Sequence, residues 1–163
     1  MIVNRFEGFH ISMAEIENRG LDDDFFNFLC KACESAPVHR TLDISLTYLG
    51  QGAAGLKMNP GLEFSTIRGR LHGGIIATLA DTAMGWAFIT LGRACITIDM
   101  YTNYTATCFA ENELIAEAKV IHLGRRTGVA EAALFNGQGE LAAVSRGTFS
   151  VQKDVMEEFE KGI

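Results

Sequence analysis

The chain has 163 residues, of which 48% are hydrophobic and 21% are charged. These values are typical of one folded globular domain and exclude a disordered chain. The formal net charge of -6 argues against a nucleic-acid or anionic-membrane partner, because such a partner needs a broad basic face.

The first 40 residues show an amphipathic, helical pattern. Ser12 and Glu15 have the spacing of a capping box, and the acidic residues 22–24 can cap a second helix. Pro37 is expected to end that helix. Residues 1–9 carry polar side chains in place of the apolar core of a signal peptide. Free cysteines without such a signal are typical of the reducing cytoplasm, which is the expected location.

Three short extended segments are predicted next. Residues 41–49 alternate between apolar and polar side chains, and residues 53–58 can pair back on them across a glycine-containing turn. A further turn at Asn59-Pro60-Gly61 precedes a third extended stretch, residues 62–67.

Residues 73–91 have the period of a helix that is apolar on nearly all sides. Apolar residues recur there at positions 75, 76, 79, 80, 83, 84, 87, 88 and 91, so the helix must be buried on most of its faces. A membrane span is disfavoured, because Asp81 stands at its centre and the chain has no second apolar segment of that length.

The last third of the chain has four strand-compatible segments, which are residues 94–104, 113–123, 127–135 and 141–151. Short turns between several of them predict antiparallel neighbours in a four-strand meander. The simplest arrangement that buries this helix is therefore an α+β fold, with a curved antiparallel sheet wrapped around one long central helix.

Asp81 is the most informative side chain, because it is the only ionisable residue between His72 and Arg93. A buried carboxylate is normally paired, protonated or functional, since burial without a partner costs several kcal/mol. The alternative is a carboxylate that faces water or binds a neighbouring backbone group. The residues alone leave both readings open.

The segment Arg70-Leu71-His72-Gly73-Gly74 stands at the start of the same helix. Its two glycines allow a substrate to approach the backbone, and free N–H groups at a helix N-terminus can stabilise an oxyanion. The alternative is close packing of the helix against the sheet. Gly73 and Asp81 are eight residues apart, so both can border one cleft at the helix surface.

Residues 72–85, with the sequence HGGIIATLADTAMG, resemble the central-helix signature of hotdog-fold acyl-CoA thioesterases, in particular the phenylacetate-pathway (PaaI-like) branch. Gly69, residues 96–100 with Tyr104, residues 121–126 and residues 139–143 resemble further parts of that family. The resemblance covers residues 41–151. The predicted organisation is an N-terminal helical extension over residues 1–40, a hotdog domain over 41–152 and a C-terminal tail over 153–163.

The resemblance implies a thioester hydrolase without a cofactor, whose substrate contains coenzyme A. The carboxylate of Asp81 would act as general base or nucleophile, and the backbone N–H of Gly73 would polarise the thioester carbonyl. The hydroxyl of Thr97 would help to orient water from a strand of the facing subunit. A homodimer or a homotetramer, with sites at the dimer interface, would follow.

Five further residues are candidates for substrate binding. His72 and Gly74 lie at the helix start, although a histidine there more often holds the loop. Thr66 stands where the family usually has Asn. Arg125 and Arg126 can contact the phosphates of coenzyme A, or they can form a solvated hairpin end.

Two other functions fit part of this pattern, namely a hotdog dehydratase or hydratase and a non-catalytic acyl-CoA-binding module. The dehydratase would need a catalytic histidine beside its carboxylate. Residues 50–55 match the dinucleotide motif G-x-G-x-x-G but lack a following helix, and Cys30 and Cys33 lack a second cysteine pair. We therefore expect neither a nucleotide cofactor nor a metal site.

Overall fold

The structure, a computed structural model, describes residues 16–157. In chain order the elements of this range are β1 (Glu17–Arg19), α1 (Asp23–Ser35), α2 (Pro37–Thr41), β2 (Ile44–Gly50), β3 (Ala53–Met58), α3 (Gly73–Ile89), β4 (Arg93–Tyr104), β5 (Leu114–Leu123), β6 (Thr127–Phe135) and β7 (Leu141–Asp154). The predicted capping box of Ser12 and Glu15 and most of the predicted tail lie outside the described residues.

The strands form one sheet in the order β1-β2-β3-β5-β6-β7-β4. Neighbouring strands are antiparallel except for β1 and β2, which run parallel. The predicted antiparallel sheet is thus confirmed for the strands from β2 to β7. β1 was not predicted, because a strand of three residues has too short a pattern to stand out in a helical region.

β4 lies at the edge of the sheet beside β7, so the predicted four-strand meander is wrong in one strand. After Tyr104 the chain crosses the sheet to reach β5, and only β5, β6 and β7 form a meander. Short links at residues 124–126 and 136–140 constrain their strands to be neighbours. The longer link after β4 imposes no such constraint.

α3 contacts each strand from β2 to β7 and forms the centre of the core. Its buried residues are Ile76, Leu79, Ala80, Ala83, Met84, Trp86, Ala87 and Phe88. Met84, Trp86 and Phe88 therefore belong to the core, as is usual for apolar residues of a buried helix. Gly128 on β6 lies under the ring of Phe88, where a Cβ would collide with the ring. This close approach brings the helix onto the sheet.

α1 and α2 pack against the same core. The side chain of Asp22 accepts hydrogen bonds from the N–H groups of Asp24 and Phe25, which confirms the predicted helix cap. Pro37 follows the end of α1, as predicted, but it also begins α2. Proline is tolerated in a first helical turn, because the N–H that it lacks would have no helical partner there.

The predicted extended stretch over residues 62–67 is wrong. The chain instead forms two 3-10 turns, Leu62–Phe64 and Ile67–Gly69. Gly61 has a φ of 79° and Arg68 a φ of 72°, and positive φ angles turn the chain away from an extended path. None of the described helices is long and apolar enough to cross a membrane.

Candidate active site

Asp81 lies halfway along α3 at the boundary between the core and the surface. It is half-buried, whereas its neighbours Ala80 and Ala83 are fully buried. The Oδ1 of Asp81 accepts a hydrogen bond of 2.7 Å from the Oγ1 of Thr97. Within residues 16–157 no hydrogen bond to its Oδ2 is present. One carboxylate oxygen is thus held in place while the other is available to a ligand.

Thr97 reaches Asp81 from β4 of the same chain. Thr97 and Asp81 thus belong to the same subunit, and the expectation that this strand faces the helix start of a second subunit stays a prediction. β4 begins directly after α3 and returns past the helix. Its pairing with β7 shifts register between Thr97 and Asp99, and such a bulge re-aims a side chain. The bulge therefore lies where Thr97 turns toward α3.

His72 caps the N-terminus of α3. Its Nδ1 accepts a hydrogen bond of 3.0 Å from the N–H of Gly74, and its backbone oxygen accepts one of 2.9 Å from the N–H of Ile75. This is the loop-holding role that was favoured for a histidine at this position. The N–H of Gly74 is consequently occupied, while the N–H of Gly73 has no acceptor among the described residues.

Tyr104 was not predicted as a site residue. Its Oη donates a hydrogen bond of 2.8 Å to the backbone oxygen of Gly73. A Cβ added to Gly73 would lie 3.3 Å from the Cζ of Tyr104, so the ring presses close to the helix start. Its place at the end of the strand that carries Thr97 was visible in the sequence. The contact depends on how β4 crosses α3, which the sequence does not reveal.

Thr66 belongs to the loop that leads into α3. Its Oγ1 and its N–H both approach the backbone oxygen of Arg70, at 3.1 Å and 2.6 Å. The N–H of His72 bonds to the backbone oxygen of Phe64 at 3.0 Å and closes the same loop. The structure thus places Thr66 near the helix start, with its hydroxyl used inside the loop.

Arg125 and Arg126 are exposed at the turn between β5 and β6. No side chain in the described part of the chain forms a salt bridge with either of them. The backbone oxygen of Arg126 accepts a hydrogen bond from Val151, and nearby Gly128 packs on Phe88 near the C-terminal end of α3. The structure therefore separates them from Gly73, at the opposite end of the helix.

Cys95 is the thiol beside this site. Burial, together with the negative charge of Asp81, raises its pKa to about 11. A thiol with such a pKa is protonated at neutral pH and is a poor nucleophile. Asp81 is therefore the better candidate for the reactive group.

A cavity of about 400 Å³ lies away from these residues. Tyr48, Tyr101 and Glu117 line it, on the face of the sheet opposite α3. Neither Asp81 nor Gly73 borders it. We assign the candidate site to the contact between Asp81 and Thr97, because that contact supplies a carboxylate with a held geometry.

The family described as the thioesterase superfamily matches residues 68–143, which include α3 and β4. An Archaeoglobus fulgidus protein, named as a proposed esterase, is 30% identical over 114 residues, or 69% of this chain and 74% of its own. The acyl-coenzyme A thioesterase PaaI of Escherichia coli is 30% identical over 108 residues, or 66% of this chain and 77% of its own.

Solved structures share the fold. The E. coli PaaI structure has a TM-score of 0.76 and 25% identity, and the match covers 83% of this chain and 98% of that one. A hypothetical thioesterase from Streptococcus pneumoniae, solved with coenzyme A, has a TM-score of 0.69 and 21% identity, with 76% and 97% covered. These similarities confirm the predicted hotdog fold. The chain therefore belongs to the thioesterase superfamily.

Proposed function

We propose that the protein is an acyl-CoA thioesterase, which hydrolyses a coenzyme A thioester to a carboxylic acid and free coenzyme A. The hydrogen bond from Thr97 to Asp81 carries this proposal, because it orients a carboxylate at the edge of an otherwise apolar helix. Membership of the thioesterase superfamily supports the reaction class. The activity named for the E. coli relative supports the substrate class.

Asp81 is the proposed catalytic carboxylate. It accepts a proton from the water that attacks the thioester carbonyl carbon, or it attacks that carbon itself. The bond between carbon and sulfur then breaks, and coenzyme A leaves as a thiolate that takes up a proton. Where Asp81 itself has attacked, a water then hydrolyses the resulting acyl anhydride, which releases the carboxylic acid and restores the Asp81 carboxylate. Thr97 holds Oδ1, so Oδ2 is the oxygen that we assign to the reaction.

The N–H of Gly73 is the proposed oxyanion donor. It stands at the N-terminus of α3, where the helix dipole favours negative charge. The cap on Gly74 leaves the N–H of Gly73 without an acceptor in the described structure. An oxyanion donor of this kind contributes a factor of about 10²–10³ to kcat.

Gly73 and Asp81 of one chain are too far apart to act on one carbonyl. Eight residues of α3 separate them, which corresponds to about 12 Å at roughly 1.5 Å per residue. Catalytic contacts require separations of about 3 Å. We therefore place each site between two chains, with Asp81 and Thr97 from one protomer and Gly73 from its partner.

The edge strand β4 is the proposed dimer surface. An edge strand leaves backbone groups unpaired and so invites another strand. Large side chains of β4 are also exposed, among them Ile96 (61%), Ile98 (56%) and Tyr104 (52%). A second copy related by a twofold axis would cover this strand and would form two equivalent sites. Pairing of two such dimers would give a tetramer, the larger of the two expected assemblies.

The remaining candidate residues are assigned to parts of the substrate according to their side-chain chemistry. Arg125 and Arg126 are the proposed partners of the coenzyme A phosphates, because both are exposed and without a salt bridge in the described structure. Thr66, His72 and Gly74 shape the loop and helix start beside the thioester.

We propose residues 41–152 as the hotdog domain, flanked by the extension 1–40 and the tail 153–163.

The dehydratase alternative needs a histidine beside the carboxylate. Of the histidines that the structure describes, His72 caps α3, His39 bonds to Cys33, and His122 lies on β5. Within one chain none of these three donates a hydrogen bond to Asp81. A shared site would bring the His72 beside Gly73 near the carboxylate, but the Nδ1 of His72 already accepts the hydrogen bond of the helix cap. This arrangement favours hydrolysis over dehydration.

Hydrolysis of a panel of acyl-CoAs tests the proposal. The panel contains acetyl, hexanoyl, decanoyl, palmitoyl, benzoyl and phenylacetyl thioesters, and a thiol-trapping dye reports free coenzyme A. We expect turnover by the wild type and a loss of about 10² or more in Asp81→Ala, with folding and oligomer size unchanged. No turnover on any thioester, with coenzyme A still raising the Tm, would instead support the binding module.

A further inference from the structure

The peptide unit between Gly73 and Gly74 is held from both of its ends. Its carbonyl oxygen, on Gly73, accepts the hydrogen bond of 2.8 Å from the Oη of Tyr104. Its N–H, on Gly74, donates the hydrogen bond of 3.0 Å to the Nδ1 of His72. Two side chains from different elements thus fix the plane of one peptide.

This peptide has particular need of support. Two consecutive glycines have more backbone freedom than any other pair, and ordering them costs correspondingly more entropy. The N–H of Gly73, the proposed oxyanion donor, lies one φ,ψ pair away from the held plane. Fixing that plane therefore limits the directions in which this N–H can point.

We propose that Tyr104 is a positioning residue that, together with His72, aims the N–H of Gly73 at the thioester oxygen. The inference rests on the proposed function and names a residue that the proposed chemistry does not use directly. Oxyanion stabilisation depends on the direction of the donor, because the donor must meet the charge without reorganising. Loss of the Tyr104 hydroxyl should therefore weaken the transition state more than the ground state.

Tyr101 provides a matched control on the same strand. It is exposed to 60% against 52% for Tyr104. Its register partner on β7 is Arg146, whereas Tyr104 pairs with Ala143. The hydroxyl of Tyr101 forms no hydrogen bond with the residues that the structure describes. Tyr101→Phe removes the same atom from β4 without touching the helix start.

The test compares Tyr104→Phe with Tyr101→Phe in steady-state hydrolysis of the preferred acyl-CoA. We expect kcat and kcat/KM of Tyr104→Phe to fall together by about tenfold, with the Tm within the error of the wild type. Tyr101→Phe should keep the wild-type kcat. Equal kcat values for the two variants would overturn the proposal, and so would a rise in KM alone.

Tyr104 and His72 together form what we call the clamp on the peptide between Gly73 and Gly74. Variants of His72 test the second of its two hydrogen bonds. His72→Asn keeps a side-chain acceptor at the cap position and should retain most of kcat. His72→Phe has no such acceptor, and its kcat should fall. Combining His72→Phe with Tyr104→Phe should cost less than the product of the two single losses, because both side chains hold one peptide. Fully multiplicative losses would show independent roles and would contradict the clamp.

The outcomes separate this inference from the proposed function. A wild type that turns over acyl-CoA, an Asp81→Ala variant that does not, and an unaffected Tyr104→Phe would reject only the role of Tyr104. Amide hydrogen exchange gives a readout without catalysis, and Tyr104→Phe should speed exchange at Gly74 while Tyr101→Phe should not. Unchanged exchange at Gly74 in Tyr104→Phe would contradict the clamp in an inactive protein as well.

Discussion

The Oγ1 of Thr97 lies 2.7 Å from the Oδ1 of Asp81, although 16 residues separate them in the chain. This contact joins the middle of α3 to the edge strand β4. It also holds Oδ1, so that Oδ2 is the carboxylate oxygen without a hydrogen bond among the described residues. The same contact therefore serves the packing of the helix and the geometry of the proposed reaction.

Removing the Thr97 hydroxyl should reduce activity without unfolding the protein. A hydrogen bond to a charged group contributes about 1.5–3 kcal/mol, so Thr97→Val should lower kcat by roughly 10- to 100-fold. Thr97→Ser keeps the hydroxyl and should retain most activity. Steady-state kinetics of both variants provide the measurement, and a fully active Thr97→Val would show that the hydroxyl has no role in the reaction.

A charge on the exposed face of β4 should separate the protomers. Ile96 is exposed to 61% and Val38, on α2, to 47%. We expect Ile96→Lys to convert the oligomer to a monomer and to abolish hydrolysis, since a buried unpaired ammonium is costly at an interface. Val38→Lys should keep the wild-type mass in size-exclusion chromatography with light scattering. A wild type that is itself monomeric would rule out the shared site.

Mixing two inactive variants should restore activity if each site uses two chains. Gly73→Pro removes the N–H at the first position of α3, where proline is tolerated, and Asp81→Asn removes the base. Random pairing of the two chains should return about a quarter of wild-type activity, because half of the dimers would contain one intact site of two. An inactive mixture, with heterodimers demonstrated by mass, would place Gly73 and Asp81 in one chain.

The thiol of Cys95 should report the charge of Asp81. Burial first, and the Asp81 carboxylate second, raise its pKa to about 11 from 9.0. Asp81→Asn removes the negative charge and so favours the thiolate, which should lower the pKa while leaving it above 9.0. Alkylation of Cys95, followed by mass spectrometry from pH 7 to 11, should shift to lower pH in the variant. An identical pH profile would mean that the carboxylate does not reach the thiol.

The cap of α1 should contribute to stability and not to catalysis. Asp22→Ala removes the acceptor for two backbone N–H groups and should lower the free energy of unfolding by about 1 kcal/mol. Asn27 lies exposed within the same helix, and Asn27→Ala should leave stability unchanged or slightly higher. Urea denaturation measures both, and kcat should match the wild type in each folded variant.

The periodicity of apolar residues correctly predicted several strands and the central helix. The bounds of β3 and β6 agree with the strands predicted over residues 53–58 and 127–135. α3 begins at the predicted residue and ends two residues early, since helix ends are the least certain part of a periodic pattern. The extended stretch predicted over residues 62–67 is wrong, because the positive φ angles of Gly61 and Arg68 turn the chain at both ends of this segment.

The order of the strands in the sheet could not be predicted from local sequence patterns. The position of β4 beside β7 depends on packing over the whole sheet, and no turn residue encodes it. In the candidate site, too, some residues were predictable from the sequence and their contacts were not. Asp81 and Gly73 were evident as unusual residues in an apolar helix and its glycine-rich start. The contacts of Thr97 with Asp81 and of Tyr104 with Gly73 arise only once β4 returns past α3.

The central claim is that Asp81 is the catalytic carboxylate of an acyl-CoA thioesterase. Its most direct test is kcat for hydrolysis of the preferred acyl-CoA by Asp81→Asn beside Asp99→Asn, an equal charge change on exposed Asp99 of β4. We expect Asp81→Asn to lose a factor of about 10² or more in kcat while Asp99→Asn keeps wild-type turnover. Wild-type turnover by a folded Asp81→Asn enzyme would contradict it.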